Sequence, residues 1–465
     1  MIHGYHPYVE DAEIYVPGIR KALNPALYPY NPEFFASHAR LTFFPNLIAA
    51  WVRLTHLSLD WALLLWHCAA IYLLLLGCWH VGRLCFNKSL PCWGGVTLVA
   101  SLLTIPIAGT ALYIMDQYLN TRSLSTPAAL FMIVNVLERK LVRASLWTVF
   151  CVLIHPLMVI FAVAFLLVGY LADTKSLQRF RPVGAFVLLP LAIFPPVSGA
   201  YRQILDSHSY FFVLRWEWYE WLGLLGPLLL LTWFRRIAVR RAIPGIAALS
   251  RALIIYSLLF FVAGLAVSLP FLTRFAELQP MRSLLLVYVF LFVIGGGLLA
   301  ESIIKHQLWR WLLLFAPLSA GMFWAQRQLF PATPHLEMPG ANSPNAWVDT
   351  FLWARAHTPP NAYFALDPGY MEAPGEDQHG FRAIAERSRL ADRVKDSGAV
   401  SMFPVLADSW SQQVEAQSDW KNFRTEDFRR LRQQFGVTWV IWDQAPVSGL
   451  DCQYHTGALS VCRIE

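Results

Sequence analysis

Long apolar runs separated by short polar segments make up most of the middle of this 465-residue chain. A hydrocarbon core about 30 Å thick requires about 20 apolar residues in a straight helix, so runs of this length predict helices that cross a membrane. The predicted spans are 60–84, 92–115, 183–199, 218–234, 250–272, 281–300 and 308–325.

The segment 126–172 does not divide into spans of ordinary length. Its apolar stretch 144–171 has His155 and Pro156 near the middle, and a proline there removes a backbone donor and breaks the helix. We therefore predict a hairpin of two short helices that meet at this dipeptide, and a further short helix over 126–138. Together with the longer runs this gives about ten crossings.

The two ends of the chain have different patterns. Residues 41–58 mix apolar and basic side chains, which is typical of a helix lying at the membrane interface. In residues 331–465, "NAWVDTFLWARAHT" and "TEDFRRLRQQFG" predict helices, "AYFALDP" and "VTWVIWD" predict strands, and "QYHTGALSV" predicts a β-hairpin. Strand, helix and strand in this order predict a small α/β domain.

The predicted fold is therefore a polytopic α-helical membrane protein with a C-terminal α/β domain. Its three parts are an N-terminal segment with an acidic loop and interfacial helices (1–58), a transmembrane domain (59–328) and a C-terminal region (331–465). Composition supports a membrane protein, because 14% of the residues are charged against about 25% in soluble proteins.

The distribution of basic residues predicts the orientation. Five alternate loops between apolar runs, 83–91, 138–143, 173–182, 235–251 and 301–310, contain 15 Lys and Arg residues, whereas the loops on the other side contain five. Basic loops stay in the cytoplasm, so both ends of the chain are predicted to be extracytoplasmic. Since the arginines serve topology and the C-terminal region has no basic stripe, the net charge of +7 does not indicate nucleic acid.

Two cysteines, Cys452 and Cys462, flank the predicted hairpin. An oxidising extracytoplasmic compartment permits a disulfide between them, and the sequence leaves open whether it forms.

Ionisable residues gather on the predicted outer face from several separate segments. They include Glu10, Asp11, Glu13, Asp116, Arg122, His155, Asp206, His208, Arg215, Glu277 and Arg282. Each has an ordinary explanation by itself, such as a solvated loop charge, a helix end, an arginine reaching headgroups or a histidine beside a proline break. As a set they suit transfer of a group from a lipid phosphate.

Such a transfer needs a carboxylate that accepts the proton of the acceptor hydroxyl. It also needs cations where negative charge develops on the leaving phosphate. Asp11 and Asp116 are candidates for the first role. The candidates for binding the donor phosphate are Arg122, Arg215, Arg282 and His155.

Four motifs carry a resemblance to a known family. "EDAEIYVPGIRKALNPALYPYNPEFF" resembles the first extracytoplasmic loop of the GT-C superfamily of polytopic membrane glycosyltransferases. "MDQYLNTRS" resembles the second acidic loop of that family, "IHPLM" a recurring short-helix tip, and "LQPMRS" a late outer-loop motif. The stretch from "WARAHTPPNAYFALDP" onward resembles the soluble domains that often follow the membrane core, particularly in uncharacterised bacterial members.

The resemblance implies an enzyme of the bacterial inner membrane that transfers sugar from a polyprenyl-phosphate donor to an extracytoplasmic acceptor. Asp11 would be the base or the acid that orients the acceptor, Glu10 its neighbour in the acid pair, and Asp116 the second acid. Some members of the family bind a divalent cation between the acids, and the sequence does not decide this. The family also has a transmembrane helix before the acidic loop, so we expect the natural reading frame to continue upstream of Met1.

A different class of function stays open beside the enzyme. The chain could bind or transport a lipid-linked glycan without chemistry, or anchor the C-terminal region to the membrane lipid. A transporter is expected to place charges or broken helices near the middle of the bilayer, whereas most helix interiors here lack charge. This pattern favours the enzyme.

Overall fold

The fold was established from a computed structural model, which describes residues 2–172, 197, 199–444, 447, 449–457 and 459–464. The described helices of the first 330 residues are α1 (Ala12–Leu23), α2 (Glu33–Leu41), α3 (Phe44–Thr55), α4 (Leu59–Cys85), α5 (Ser89–Ser101), α6 (Thr121–Leu137), α7 (Leu141–Ile154), α8 (Pro156–Ala172), α9 (Gly199–Ser207), α10 (Trp218–Arg240), α11 (Pro244–Val267), α12 (Leu284–Leu299) and α13 (Leu308–Leu329).

Five of the described helical segments are long and apolar enough to cross a membrane. They are α4, α10, α11, α13 and the segment Thr273–Ile304 that contains α12. The apolar helices α7 and α8 are shorter, and they meet at His155 and Pro156 as predicted. The predicted span 183–199 lies almost wholly outside the described residues, so the figure of about ten crossings stays a prediction.

The predicted span 92–115 is wrong. Helix α5 ends at Ser101, and a non-helical segment follows it as far as Asn120. Pro106 has no N–H to continue a helix, and Ala108 and Ala111 have positive φ angles of 45° and 54°. The segment folds back on itself, with the Ile107 N–H donating to the Leu112 carbonyl at 2.9 Å. This turn brings Asp116 beside Arg122, at the start of α6.

The predicted short helix 126–138 is part of α6, which begins five residues earlier, at Thr121. Its first fifteen residues are buried in the structure. Asn120 caps the helix, because its side chain accepts a hydrogen bond from the Ser123 N–H at 3.0 Å. This cap positions Arg122 in the first turn of α6.

Helix α12 lies at the centre of the apolar helices, and 14 of its 16 residues are buried. It contacts α5 backbone to backbone, since a Cβ added at Gly94 would lie 2.4 Å from the Gly296 carbonyl oxygen. Small residues permit helices to approach this closely in membrane proteins. This contact fixes the position of α12, and Arg282 lies just before the first turn of that helix.

The C-terminal region contains helices α14 (Ala346–His357), α15 (Phe381–Ala385), α16 (Lys395–Met402), α17 (Ala407–Glu415) and α18 (Thr425–Phe435). Its strands are β1 (Tyr363–Ala365), β2 (Ser388–Arg389), β3 (Trp439–Trp442), β4 (Asp451–Thr456) and β5 (Leu459–Arg463). They form one sheet in the order β2-β1-β3-β5-β4. The pairs of β1 with β2 and β3 are parallel, and β5 is antiparallel to β3 and β4. The predicted strands and hairpin are confirmed.

The two cysteines of the hairpin form a disulfide. Cys452 on β4 and Cys462 on β5 lie opposite each other in the strand register, which settles the choice that the sequence left open.

The N-terminal segment packs against the C-terminal region. Tyr5 pairs with Leu336 and Val9 pairs with His379 in isolated β-bridges, and α1 contacts α15 and α16. The acidic residues at the start of α1 therefore lie between the apolar helices and the C-terminal region.

Candidate functional site

A cavity of about 310 Å³ lies where the N-terminal segment, one end of the apolar helices and the C-terminal region meet. Its charged lining residues are Glu10, Asp11, Asp116, Arg122, Arg282 and Lys395. We call these six residues the open cluster. Tyr15, His38, Tyr113, Tyr118, His208 and Tyr210 also line the cavity.

Arg122 joins the two predicted acids. Its Nη2 atom lies 3.3 Å from Asp11 Oδ2 and 3.1 Å from Asp116 Oδ2. Asn120 donates from Nδ2 to the same Asp116 oxygen at 2.6 Å. One guanidinium therefore faces both carboxylates, and Asp11, Asp116 and Arg122 line the same cavity.

Lys395, at the start of α16, supplies a second cation to the acids. Its ammonium group forms an ion pair with Glu10 and lies 3.5 Å from Asp11 Oδ1. Glu10 reaches this position through a left-handed backbone conformation, with φ of 57°. Three carboxylates of the open cluster thus have cationic partners.

Arg282 differs from the other two cations of the cavity. Among the described residues it has no ion pair and no hydrogen bond, and its Nε atom is buried without a partner. Its guanidinium carbon lies 5.4 Å from the centre of the Tyr210 ring, a cation–π contact that leaves its N–H groups available. Arg282 is therefore the group of the cavity best prepared to bind an anion.

The cations change the acidity of Asp11. Burial raises the pKa of this carboxyl, but Lys395 and Arg122 outweigh burial and hold the pKa well below its usual range. Burial lowers the pKa of Lys395, and Glu10 and Asp11 raise it above its usual value by more. Both groups are therefore ionised at neutral pH, and Asp11 is a weak base while its cationic partners are in place.

Two of the predicted phosphate-binding residues lie outside the lining of this cavity. Arg215 donates from Nη2 to Asp206 Oδ1 at 2.7 Å at a more exposed position. His155 lies at the junction of α7 and α8, where its N–H donates to the Cys151 carbonyl at 2.7 Å. The structure thus brings together Glu10, Asp11, Asp116, Arg122 and Arg282 of the predicted set in the cavity lining, which does not include Arg215. His155 is not a lining residue either, but it lies close enough to Arg122 and Arg282 to interact with their charges.

A second group of charges lies beside the cavity and is buried. Glu13 Oε1 lies 3.4 Å from Arg382 Nη1, and its Oε2 accepts from the Ala383 N–H at 3.2 Å. Arg382 pairs with Asp396 at 2.8 Å, and Arg389 pairs with Asp392 at 2.8 Å. We call Glu13, Arg382, Arg389, Asp392 and Asp396 the closed cluster.

The closed cluster has three carboxylates and two guanidinium groups among its described members, so one carboxylate has no matching charge. Burial raises the pKa of Glu13 to about 7, although Arg382 and Arg389 lower it. A buried carboxyl that keeps its proton avoids the cost of an uncompensated charge.

The closed cluster also positions Lys395. Asp392 Oδ1 accepts from the backbone N–H groups of Val394, Lys395 and Asp396, which caps the start of α16. Asp396 is held by Arg382, which also contacts Glu13 on α1. The lysine and the acidic end of α1 are thus connected through one buried network.

The acids do not fit a divalent cation as they stand. Magnesium requires near-octahedral oxygen ligands at about 2.0–2.1 Å. Here the carboxylate oxygens already accept from Lys395, Arg122 and Asn120. In the described part of the chain, no three His, Cys, Asp or Glu residues are arranged to hold a metal ion.

Sequence comparisons do not assign the chain to a family. No family model matches it, and no curated protein is significantly similar to it in sequence. The resemblance to the GT-C superfamily therefore stays a prediction.

Proposed function

We propose that this protein is a glycosyltransferase resembling the GT-C superfamily, which transfers a sugar from a polyprenyl-phosphate donor to an extracytoplasmic acceptor. The observation that carries the proposal is the unpaired Arg282 in the same cavity as the carboxylates Asp11 and Asp116. An anion-binding group and a potential proton acceptor then face one reacting centre.

The position of Arg282 suits a phosphate attached to a lipid. Arg282 lies two residues before α12, within an apolar segment long enough to cross a membrane. A planar guanidinium binds phosphate oxygens with two parallel hydrogen bonds. A lipid phosphate at this level leaves its prenyl chain in the bilayer and its sugar in the cavity.

In the proposed reaction, Asp11 accepts the proton of the acceptor hydroxyl group. The acceptor oxygen forms a bond to the anomeric carbon of the sugar, and the bond between that carbon and the phosphate oxygen breaks. The polyprenyl phosphate leaves with the electron pair of the broken bond. Arg282 and Arg122 stabilise the charge that develops on the leaving oxygen.

The low pKa of Asp11 is compatible with this role once a donor is bound. An incoming phosphate competes for the positive charge of Lys395 and Arg122, which are the groups that lower the pKa of Asp11. Removing an opposite charge from a carboxylate raises its pKa. Donor binding therefore converts Asp11 into a stronger base.

The proposal includes a location. We propose that the cavity lies on the extracytoplasmic face of a bacterial inner membrane, in a protein with about ten crossings, and the asymmetry of Lys and Arg supports this orientation. A cysteine introduced at the exposed Asn342 should be labelled by an impermeant reagent, and one at the exposed Ala242 should not. The reverse pattern would contradict this orientation. The unsubstituted protein gives the background, because Cys68 is exposed.

Incubation of the purified protein with labelled polyprenyl-phosphate sugars tests the activity. We expect Asp11→Asn to lower the transfer rate about 10²–10⁴-fold, the usual contribution of a general base. Asp206→Asn is the matched control, since Asp206 pairs with Arg215 outside the cavity lining. Equal transfer rates for Asp11→Asn and the wild type would overturn the role of Asp11.

Binding without chemistry is the second candidate function. The ion pairs of Glu10, Asp11 and Asp116 with cations favour it, because paired carboxylates are weak bases. In that case wild type and Asp11→Asn bind the lipid-linked sugar, and neither produces a transferred product.

A further inference from the structure

Lys395 reaches the cavity from a distant part of the chain. It is separated from Asp11 by 384 positions. Among the described residues that line the cavity, it is the one lysine. Its side chain is mostly buried, with 13% of its surface exposed. The ammonium group lies beside Glu10 and Asp11 rather than in solvent.

Acids that line one cavity repel each other unless a cation lies between them. A divalent metal ion is one solution, and it needs several free carboxylate oxygens at short distances. An ammonium group is another, because it has three N–H donors and no acceptor. Here the Lys395 ammonium group lies beside Glu10 and Asp11, and the Arg122 guanidinium group lies between Asp11 and Asp116.

Lys395 cannot leave this position easily. Its own backbone N–H is bound by Asp392, and the next residue, Asp396, is held by Arg382 at 2.8 Å. Arg382 also contacts Glu13, two residues after Asp11. The same buried network therefore sets the position of the cation and of the acids that it neutralises.

We propose that Lys395 is a built-in cation that takes the place of a metal ion beside Glu10 and Asp11, so that this cavity is completed by the C-terminal region and does not bind a divalent metal. The proposal concerns the same cavity as the proposed function. It does not require sugar transfer, because its test measures metal binding directly.

The test is titration of the purified full-length protein with Mn²⁺, followed by the loss of the free-ion signal in electron paramagnetic resonance. We expect the wild type to show no saturable Mn²⁺ binding that depends on Glu10 or Asp11. The titrations of Glu10→Gln and Asp11→Asn should therefore match that of the wild type. We expect Lys395→Met, which keeps most of the side-chain length and removes the charge, to bind Mn²⁺ at least 10-fold more tightly than any binding that the wild type shows. Adding Asp11→Asn to Lys395→Met should remove this binding.

Lys421→Met is the matched control, since Lys421 is exposed and outside the cavity lining, and it should bind as the wild type does. The proposal is overturned by saturable Mn²⁺ binding to the wild type that depends on Glu10 and Asp11. It is also overturned if folded Lys395→Met gains no binding. If Lys395→Met does not fold, the proposal is tested by comparing Mn²⁺ binding of the wild type with that of Asp11→Asn. Saturable binding that is lost in Asp11→Asn overturns it, and equal titrations support it. Failure to detect sugar transfer would affect the proposed function and leave these measurements valid.

Discussion

Asp11 and Glu13 are two residues apart at the start of α1, and their surroundings give them opposite properties. Asp11 lines a cavity beside cations that lower the pKa of its carboxyl group. Glu13 is fully buried, and burial raises its pKa to about 7 despite two neighbouring guanidinium groups. The contrast shows that pairing with arginine does not by itself decide the charge of an acid.

The two clusters differ in the balance of charge and in access. The open cluster has three carboxylates and three cations among the described residues, and Arg282 is left without a partner. The closed cluster has three carboxylates for two guanidinium groups, and none of its five residues lines the cavity. We infer that the closed cluster holds the structure together, whereas the open cluster binds a ligand.

Breaking the closed cluster should have the largest effect on stability. Arg382→Met leaves Asp396 and Glu13 buried without their partner, and removal of one member of a buried pair costs about 3–5 kcal/mol. The measurement is the free energy of unfolding in detergent. Arg429→Met is the control, because Arg429 is exposed, and its effect should stay within about 0.5 kcal/mol. Equal stabilities of the two variants would contradict a structural role.

The open cluster should respond in function rather than in stability. Arg282→Gln removes the unpaired guanidinium, and we expect the rate of sugar transfer to fall about 10²–10³-fold, as when a transition-state donor is removed. The unfolding midpoint should stay close to that of the wild type, because no ion pair is broken. If Arg282→Gln keeps the wild-type transfer rate and still binds polyprenyl phosphate, Arg282 has no role in the site.

The protonation of Glu13 should appear as a pH dependence of stability. Its pKa rises from 4.5 to about 7 on folding, so the folded state keeps a proton that the unfolded state releases in this interval. Stability of the wild type relative to Glu13→Gln should therefore fall as pH rises from about 4.5 to about 7, and then stay level. The unfolding midpoints of both proteins between pH 4 and pH 8 provide the comparison, and parallel curves would contradict the raised pKa.

The smallest effect is expected at Arg215, which the sequence assigns to phosphate binding. Its ion pair with Asp206 has side chains 42% and 35% exposed, and such pairs contribute about 0–1 kcal/mol. Arg215→Gln should leave both the unfolding free energy and the transfer rate nearly unchanged. If it lowered binding of the lipid phosphate as much as Arg282→Gln, the sequence assignment would be restored.

Much of the membrane part could be predicted because it follows from local pattern. Apolar length gave the positions of α4, α10, α11 and α13, and Pro156 gave the break between α7 and α8. The run 92–115 misled the prediction, since its apolar residues continue past Ser101 while Pro106 and the left-handed residues after it end the helix. Hydropathy reports how side chains partition between water and an apolar phase. It does not report where the backbone leaves the helical conformation.

The site could be predicted only in part, for a related reason. Asp116, Arg122 and Arg282 stand out in the sequence because they are polar residues near the ends of apolar runs, and Asp11 stands out because it belongs to the acidic N-terminal loop. Lys395 was missed, since it lies in "LADRVKDSG", where charges are common in any soluble domain. The dense alternation of acids and bases in that segment was a signal, but its partners on α1 are visible only in three dimensions.

The distance along the chain between Lys395 and the acids has a consequence for biosynthesis. Glu10 and Lys395 are 385 positions apart, and a ribosome that adds about 5–20 residues per second needs about 20–80 s to connect them. During that time the acidic segment is translated, and the apolar helices can insert, while its lysine does not yet exist. The cavity therefore cannot be completed until α16 has been made, and a nascent chain that ends before Lys395 lacks one of the three cations of the open cluster.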